Sequence, residues 1–515
     1  MRRIIILLAS AFLLVAGTAL FAGGGGESVA IGQSALRVAI AGEPKSVAAW
    51  HTGSWNDQIP GRSIYQGLVA LDYDSMQPVG LLAESWEWND DGTEITFNLR
   101  RGVKFHDGSD FDAADVKHSL ENAANPEIGL TVHTLLRDLD HVDIVDDHTV
   151  VVHLKQPNNS FLAIIMDEAW IVPEGMLPEE LKTNPIGTGP FMFEAWDRGQ
   201  EIRLTKFDDY WEEGLPYLDG VVIKFIPDID VRIAQYRQGD LDMILNVPAA
   251  RVPEMQPISS IPILESDKIL NTGIYFVLLN NRIAPFDNEL VRRAFSYAVN
   301  RDQFIRGVAG GFSAARATLI ADDSPHSISA VENDYYPQNI AKARELLAQA
   351  GYPDGIEFEL MWHRTGPQWE TGAQIIQASV KDAGIDITLK GEEVATLLTR
   401  LRDSRDYQAA FSATAVKPTY YHSLWDSIGR QHSHYAGIPE RHPEWWQRLQ
   451  DATALDEGAF REEIADLVRE HEAGQFVLTL GQLVVFDSLS KDLVGYRPHP
   501  QGAGRYDFAP IRFGS

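Results

Sequence analysis

Alternating apolar and polar residues predict β-hairpins in the first third of the chain. In residues 95–99 (ITFNL) every second side chain is apolar, which is typical of a strand with one buried face. The Asn-Asp-Asp-Gly at 89–92 is a turn signal between two strand-like runs. A second hairpin is predicted over 141–154, with its turn at 146–147. Antiparallel hairpins of this kind indicate an α+β unit.

Helix boundaries are predicted where polar caps flank amphipathic runs. Asp112, with Asp115 three residues later, predicts the start of one helix. A second helical run over 228–238 ends at a glycine. Asp287 is predicted to cap a helix whose apolar residues share one face. The earlier stretch 50–62 is predicted to be a loop.

Beyond residue 274 strand-like and helix-like runs alternate along the chain. This βαβα order predicts a parallel sheet that is covered by helices on both faces. The predicted strands are 275–279, 356–362, 385–389, 407–413 and 475–486, and the predicted helices are 338–350, 368–383, 392–402, 443–455 and 459–473.

Composition narrows the class of protein. The length of 515 residues predicts roughly two to four lobes. Cysteine is absent from the sequence, which excludes disulfides and thiolate metal sites. The formal net charge is −29, so phosphate backbones and anionic lipid surfaces are repelled. We therefore expect no nucleic-acid partner and a mild preference for cationic or neutral ligands.

The N-terminus has the layout of a secretory signal. Two arginines at 2–3 precede an apolar run at 4–16 and small residues at 17–19. Residues 1–26 are therefore predicted to be an approximate signal peptide, with an uncleaved membrane anchor as the alternative. Gly23 stands where the lipid-bearing cysteine of a lipoprotein would be, so no lipid anchor is expected. These features predict a periplasmic location.

Signatures of common enzyme classes are absent from the sequence. It has no HExxH, no GxSxG, no Walker motif and no cysteine nucleophile. The Gly-Thr-Gly at 187–189 lacks the Lys-Ser/Thr of a phosphate loop. We therefore expect no catalytic residue and no cofactor. A glycoside hydrolase, which uses a pair of carboxylates, is a weaker alternative. With 73 acidic residues in the chain, carboxylate pairs are inevitable and do not by themselves indicate catalysis.

Seven motifs in a fixed order carry a resemblance that spans essentially the whole chain beyond the signal segment. They are IYQGLV (64–69), LAESWEW followed by TFNLRRGVKFHDGSDFDAADV (within 82–116), PIGTGPFMFEAW (185–196), Tyr210-Trp211, IPDIDVRIAQYRQGDLDM (226–243), PFDNELVRRAFSYAVNRDQF (285–304) and AKARELLAQAGYPDG (341–355). On these motifs the chain resembles the peptide/nickel-type extracellular solute-binding proteins, family 5.

This resemblance implies an α/β fold with an extra α+β domain. The expected architecture is a two-lobed periplasmic binding protein (type II, cluster C-like) whose lobes close about a hinge. Trp86, Trp88 and Phe97 would fill the core of the second lobe. The implied boundaries are 36–70, 187–270 and 486–515 for a discontinuous lobe I, 71–186 for the extra domain and 271–485 for lobe II.

The resemblance also implies a function and partners. The chain would be the substrate-binding subunit of an ABC importer, a monomer that captures a small solute and delivers it to permease subunits in the inner membrane. Peptides are the first expected ligand class. An oligosaccharide, an opine or chelated nickel is the alternative. A protein coupled to a chemoreceptor would use the same fold.

The ligand-holding residues expected from the family are altered in this chain. Peptide-binding members carry an acidic residue in the loop after a lobe II strand, here 407–413. The segment 415–422 has no acidic residue, and Lys417 adds positive charge. The nickel-binding branch uses arginines from the extra domain, but those positions correspond to Gly129 and Ala169. The sequence therefore supports neither the acidic residue that holds a peptide's α-amino group nor the arginines that hold a metal chelate.

Aromatic, imidazole and guanidinium side chains supply the candidate site. Aromatic rings stack on ligands, imidazoles ligate transition metals, and arginine binds carboxylates by two parallel hydrogen bonds. His432 and His434 lie near the histidine position of the nickel branch and are weak metal candidates. The candidate ligand-binding residues are Trp50, Trp55, Trp362, Arg364, Tyr420, Tyr421, His422, Trp425, His432 and His434.

Overall fold

The computed structural model places most of the chain in three larger sheets and their helices. Within the residues it describes, no helix combines the length and apolarity needed to cross a membrane. The segment 1–26, predicted to be a signal, lies outside these residues. The described residues are 34–50, 55–74, 77–128, 131–134, 136–158, 161–162, 165, 169–262, 273–313, 315, 337–364, 366–415, 436–499, 502 and 504–514.

Strands fall into a six-stranded, a five-stranded and a four-stranded sheet, with two short pairs besides, within the described residues. In chain order they are β1 (Ala35–Ile40), β2 (Val69–Leu71), β3 (Pro78–Gly80), β4 (Ala83–Trp88), β5 (Glu94–Leu99), β6 (Leu139–Asp146), β7 (Thr149–Leu154), β8 (Phe191–Asp197), β9 (Glu201–Lys206), β10 (Gly220–Phe225), β11 (Met243–Val247), β12 (Gly273–Leu279), β13 (Ile356–His363), β14 (Ile385–Glu392), β15 (Ala409–Ala415), β16 (Val477–Leu483), β17 (Phe486–Leu489), β18 (Leu493–Val494) and β19 (Arg512–Phe513).

Helices connect these strands. In chain order they are α1 (Trp55–Ile64), α2 (Ala113–Ala124), α3 (Pro178–Leu181), α4 (Ile229–Gln238), α5 (Val252–Met255), α6 (Glu289–Ala298), α7 (Arg301–Ala309), α8 (Ile340–Gln349), α9 (Pro367–Val380), α10 (Val394–Thr399), α11 (Ile438–Arg441), α12 (Pro443–Asp451) and α13 (Glu457–Gly474). A π-helical turn, Arg400–Ser404, follows α10.

Side-chain caps fix several helix starts. Asp112 accepts a hydrogen bond from the backbone N–H of Ala114, and Asp115 accepts one from the Asp112 N–H, so the predicted cap of α2 is confirmed. The prediction for α6 was wrong by one residue, because Asn288 is its cap. The prediction of a loop over 50–62 was also wrong, since α1 begins at Trp55.

The six-stranded sheet has the order β17-β11-β1-β10-β9-β8. β1 runs parallel to both β10 and β11, while β9, β8 and β17 are antiparallel to their neighbours. Leu36 and Val38 on β1 enter one hydrophobic cluster, and Ala39, the residue after Val38, enters another. Since successive strand residues point to opposite faces, this sheet is covered on both sides.

The four-stranded sheet is antiparallel, in the order β4-β5-β7-β6, and it includes the predicted hairpin of β6 and β7. Phe97 on β5 is fully buried in the same cluster as Leu36 and Val38. Trp86 and Trp88 on β4 are half-buried against that cluster. Their predicted place in the core of the second lobe was therefore wrong.

The five-stranded sheet has the order β14-β13-β15-β12-β16. β13 is parallel to β14 and β15, but β12 is antiparallel to β15 and β16, so the predicted all-parallel sheet is mixed. Alternate residues of β12 enter two different clusters, which confirms that both faces are covered. The predicted strand 475–486 is in fact two strands, β16 here and β17 in the six-stranded sheet.

The Gly-Thr-Gly at 187–189 is a packing device. A Cβ added at Gly187 would lie 2.2 Å from the Ile64 carbonyl oxygen at the end of α1, and one at Gly189 would lie 2.4 Å from that of Ser63. His106, between β5 and α2, donates from Nε2 to the Gly189 carbonyl oxygen at 2.9 Å, and burial lowers its pKa to about 4. The motif therefore joins α1 to the hairpin region around His106.

Candidate ligand-binding cleft

One edge of the five-stranded sheet gathers strand ends that point the same way. Parallel β13, β14 and β15 all finish at this edge. β12 begins at this edge, because its first residue, Gly273, pairs with Ala415 at the end of β15. β16 ends there, because its last residue, Leu483, also pairs with Gly273. Open α/β sheets bind ligands outside the carboxyl ends of their strands.

The six-stranded sheet offers a matching edge. β1, β10 and β11 are parallel, so their carboxyl ends lie together. β17 starts at the same edge, since Phe486 pairs with Val247 at the end of β11. The chain reaches Phe486 directly from β16, with only two residues between Leu483 and Phe486. The carboxyl edges of the two sheets are therefore connected by this short crossing.

Two aromatic side chains cross the boundary between the sheets and pack against the hydrophobic cluster on the other side. Trp55 at the start of α1 packs against the cluster of the five-stranded sheet. Phe312, three residues after α7, packs against the opposite sheet's cluster, and its ring lies 5.4 Å from that of Phe486. The candidate site is the cleft between these two sheet edges.

Trp55 and Trp50, both predicted to contact ligand, occupy different environments. Trp55 is half-buried at the boundary between the sheets, as described above. Trp50 has no exposed surface, and its indole N–H donates to the Trp170 carbonyl oxygen at 2.7 Å. Its φ of 63° lies in the left-handed region that few bulky residues adopt. Trp50 is thus a core residue in this conformation, whereas Trp55 lies half-buried at the boundary between the sheets.

The lobe II candidates lie at the carboxyl end of β13. Trp362 is 7% exposed within its sheet's cluster. Arg364 is exposed and donates from an η nitrogen to Glu393 at 2.9 Å. His363 lies between them, with its ring 4.0 Å from that of Trp369, and burial lowers its pKa to about 4. A carboxylate ligand would have to compete with Glu393 for the guanidinium.

Six predicted site residues follow β15 in the chain but lie outside the described residues. β15 ends at Ala415 on the cleft edge, so the next segment starts there. These residues are Tyr420, Tyr421, His422, Trp425, His432 and His434.

A buried carboxylate beside the crossing was missed by the sequence reasoning. Asp487 on β17 accepts hydrogen bonds from the Tyr496 hydroxyl at 2.6 Å, the Tyr506 hydroxyl at 3.3 Å and the Asn246 N–H at 3.1 Å. Burial raises the pKa of Asp487 to about 6. Asn246 has a φ of 55° at an irregularity in the pairing of β11 with β17. No local sequence signal marks this group, because Asn246 and Asp487 are 241 positions apart.

Two lobes whose sheets meet through their carboxyl edges define the fold of a periplasmic binding protein. Residues 77–429 match the model of a protein family described as "Bacterial extracellular solute-binding proteins, family 5 Middle". The chain belongs to this family.

Relatives of stated function are similar over part or most of the chain. Glutathione-binding protein GsiB of Salmonella paratyphi A (strain ATCC 9150 / SARB42) is 33% identical over 333 residues, which is 64% of this chain and 64% of that relative. The match therefore leaves about a third of GsiB without a counterpart in the aligned segment.

Solved structures extend the likeness in fold. The binding protein AgaA from A. tumefaciens R10, in complex with agropinic acid, has a TM-score of 0.80 and 25% identity, covering 93% of this chain and 99% of that one. NikA from Brucella suis, in complex with Fe(III)-EDTA, has a TM-score of 0.81 and 23% identity over 93% and 99% of the two chains. The two-lobed fold is shared across these proteins.

Proposed function

We propose that this protein is the periplasmic substrate-binding subunit of an ABC importer. It captures a small solute between its lobes and delivers it to a membrane permease, without chemical turnover. The observation that carries this proposal is the pair of carboxyl sheet edges that face one cleft and are joined by the short β16–β17 crossing. A ligand that contacts both edges favours the closed arrangement, because only that arrangement satisfies both sets of contacts.

The proposed lobes follow the boundaries expected from the sequence. Lobe I comprises 36–70, 187–270 and 486–515, the extra domain 71–186, and lobe II 271–485. The six-, four- and five-stranded sheets fall within these three parts, respectively. The extra domain shares its hydrophobic cluster with lobe I, so we expect the two to move as one body when the cleft closes.

A small peptide is the first proposed ligand class. The 33% identity to a glutathione-binding protein supports it. The stretch 415–422 has no acidic residue to hold an α-amino group, whereas Arg364 at the cleft edge suits a carboxylate. A short peptide rich in carboxylates, as glutathione is, fits that combination.

An opine is the second proposed class. AgaA is 25% identical over 93% of this chain and was solved with agropinic acid. Opines also carry carboxylates, and the same arginine would serve them. Both classes make the same demand on Arg364 and differ in the rest of the ligand.

A thermal-shift and calorimetric screen tests the ligand class. The purified protein would be titrated with reduced glutathione, dipeptides, an opine, oligosaccharides, and nickel with histidine. A ligand that binds only the folded state raises the melting temperature. We expect glutathione or a dipeptide to give the largest shift. A shift with the opine alone would replace the first class by the second, and recovery of a chemically altered ligand would contradict the binding function.

Paired variants test the cleft. Trp55→Ala and Arg364→Ala are each expected to weaken ligand binding by about tenfold or more, equivalent to about 1.4 kcal/mol. Trp88→Ala is the matched control for the first, since Trp88 is half-buried on β4 away from the cleft. Arg469→Ala is the control for the second, because Arg469 is also exposed and pairs with a carboxylate, Asp466. Equal affinities in variant and control would remove that residue from the site.

Location and assembly are tested separately. Fractionation of cells should recover the mature protein in the periplasm, and mass spectrometry should show its N-terminus near residue 26. Light scattering should give the mass of a monomer. Retention in the membrane fraction would favour the uncleaved anchor.

A further inference from the structure

Two histidines face each other on the outer surface of the four-stranded sheet. His141 on β6 pairs directly with His153 on β7, and Glu94 on β5 pairs with His153 on its other side. Asp143 follows His141 by two residues, so it projects from the same face of β6. Three adjacent strands thus bring two imidazoles and two carboxylates into one patch, on a sheet other than the two whose edges form the cleft.

Distances within this patch match a metal coordination sphere. The Nε2 atom of His153 lies 3.3 Å from Oδ2 of Asp143, and that of His141 lies 3.7 Å from the same oxygen. One ligand atom from each of the three residues lies within 4.8 Å of the others. Ligands about 2.0–2.1 Å from a tetrahedral zinc ion are roughly 3.3 Å apart.

The remaining imidazole nitrogens also face carboxylates. Nδ1 of His141 lies 2.9 Å from Oδ2 of Asp140, and Nδ1 of His153 lies 3.4 Å from Oε1 of Glu94. Histidines that bind a metal through one nitrogen commonly donate the other N–H to a carboxylate, which fixes the tautomer. Asp140 and Glu94 stand where such partners are needed.

With neutral imidazoles, hydrogen bonding accounts for only half of these contacts. A neutral imidazole has one N–H to donate, yet both nitrogens of each ring lie beside a carboxylate oxygen. A cation between the two Nε2 atoms and Asp143 resolves the other half, because Nδ1–H then donates outward and both Nε2 lone pairs have a partner.

We propose that His141, His153 and Asp143 bind one divalent transition-metal ion of the zinc class, with water completing its coordination. Asp140 and Glu94 act as positioning residues through the Nδ1 atoms. The two rings are stacked with centroids 4.3 Å apart and planes 5° from parallel. Binding therefore requires the rings to turn until the Nε2 lone pairs of both histidines point at the ion. The His141 side chain is 46% exposed and has room to turn.

This site is separate from ligand capture. The bound ion links β6 to β7 directly and β5 through Glu94, so it stabilises the extra domain. Imidazole ligands favour zinc, nickel or copper, whereas the all-oxygen preference of magnesium and calcium excludes them.

Zinc titration of tag-free protein by calorimetry, with a chelating indicator as a second readout, tests the proposal. The double variant His141→Ala/His153→Ala should lose one equivalent of bound Zn²⁺. The double variant His432→Ala/His434→Ala, which removes two histidines that the sequence predicts to contact the captured ligand, should keep that equivalent. His148→Ala is the matched control in the same hairpin and should also keep it. Mg²⁺ should not compete.

Substitution of the two positioning residues, Asp140 and Glu94, should weaken zinc binding without abolishing it. Asp140→Asn and Glu94→Gln should each keep the stoichiometry but weaken zinc affinity, by roughly 10- to 100-fold. Nitrogen-15 shifts of the imidazoles should show Zn²⁺ on Nε2 of both histidines. Unchanged zinc stoichiometry and affinity in the His141→Ala/His153→Ala variant, with circular dichroism confirming its fold, would overturn the site. No saturable zinc binding to the wild type would do the same.

Discussion

The two larger sheets are stabilised in different ways. The six-stranded sheet shares one hydrophobic cluster with the four-stranded sheet, so Leu36 of β1 and Phe97 of β5 belong to the same core. The five-stranded sheet has a cluster on each face, built from its own strands and helices. The core of the six-stranded sheet is therefore continuous with that of the four-stranded sheet, whereas the five-stranded sheet, apart from the packing of Trp55, is buried by its own strands and helices.

Truncation of a core phenylalanine should have the largest effect on the unfolding free energy, and it tests whether the two cores are coupled differently. Phe97→Ala and Phe358→Ala each remove a large buried ring, and each should cost about 3–5 kcal/mol of unfolding free energy. Native-state hydrogen exchange should show Phe97→Ala weakening amides of both the four- and six-stranded sheets. Phe358→Ala should weaken the five-stranded sheet alone. Protection lost only in the four-stranded sheet of Phe97→Ala would show that the shared core does not couple the two.

A buried histidine gives lobe II a stability that falls in acid. His471 on α13 is 1% exposed, and burial, with smaller contributions from His442 and Arg292, lowers its pKa from 6.5 to about 3. Between those pH values the unfolded chain binds more protons, so stability is lost as pH falls, by up to about 1.4 kcal/mol per pH unit. His471→Phe should flatten urea-unfolding free energies over this range. An unchanged slope would contradict the assignment.

A buried carboxylate gives lobe I the opposite dependence. The pKa of Asp487 is raised by burial from 3.8 to about 6, so the folded protein binds more protons across that range. Stability contributed by this group is therefore greatest below pH 3.8 and falls as pH rises to 6, by about 1.4 kcal/mol per unit at most. Asp487→Asn should remove this slope and leave that of His471. Asp492→Asn, at an exposed position nearby, is the control.

The smallest effect on stability is expected at the boundary between the lobes. Phe312→Ala removes the ring contact with Phe486, which is worth about 0.5–1.5 kcal/mol. Loss of this contact should shift the ligand-free protein toward open forms, seen as a larger radius of gyration in small-angle scattering. Phe513→Ala, a half-buried ring on β19, is the control. Equal radii for the two variants would show that Phe312 does not restrain the lobes.

Much of the fold could be predicted because its signals are local. The α2 cap at Asp112, the end of α4 at Gly239 and the βαβ order of lobe II depend on residues a few positions apart. The candidate cleft was predicted less well. Trp55 lies at the lobe boundary, but Trp50 is in the core, and Phe312 and Asp487 were missed because their partners are distant in sequence.

The histidine pair shows how one residue of register separates sequence from structure. The predicted turn at 146–147 would pair His141 with Val152 and place His153 on the opposite face. The actual turn lies between Asp146 and Thr149, and an irregularity before Asp146 brings His141 opposite His153. Only the completed sheet could assign these side chains to one surface.

The sequence by itself determined the family, the helix caps, the hairpins and the alternation of strands and helices. The caps, the hairpins and the alternation follow from short-range hydrogen bonding or from the period of apolar residues, while the family follows from the resemblance of the ordered motifs. Tertiary structure decided that 475–486 is divided between two sheets, that Trp86 and Trp88 join the core shared with lobe I, and that Asp487 meets Asn246. Those outcomes depend on which distant surfaces bury each other, and no local pattern encodes that choice.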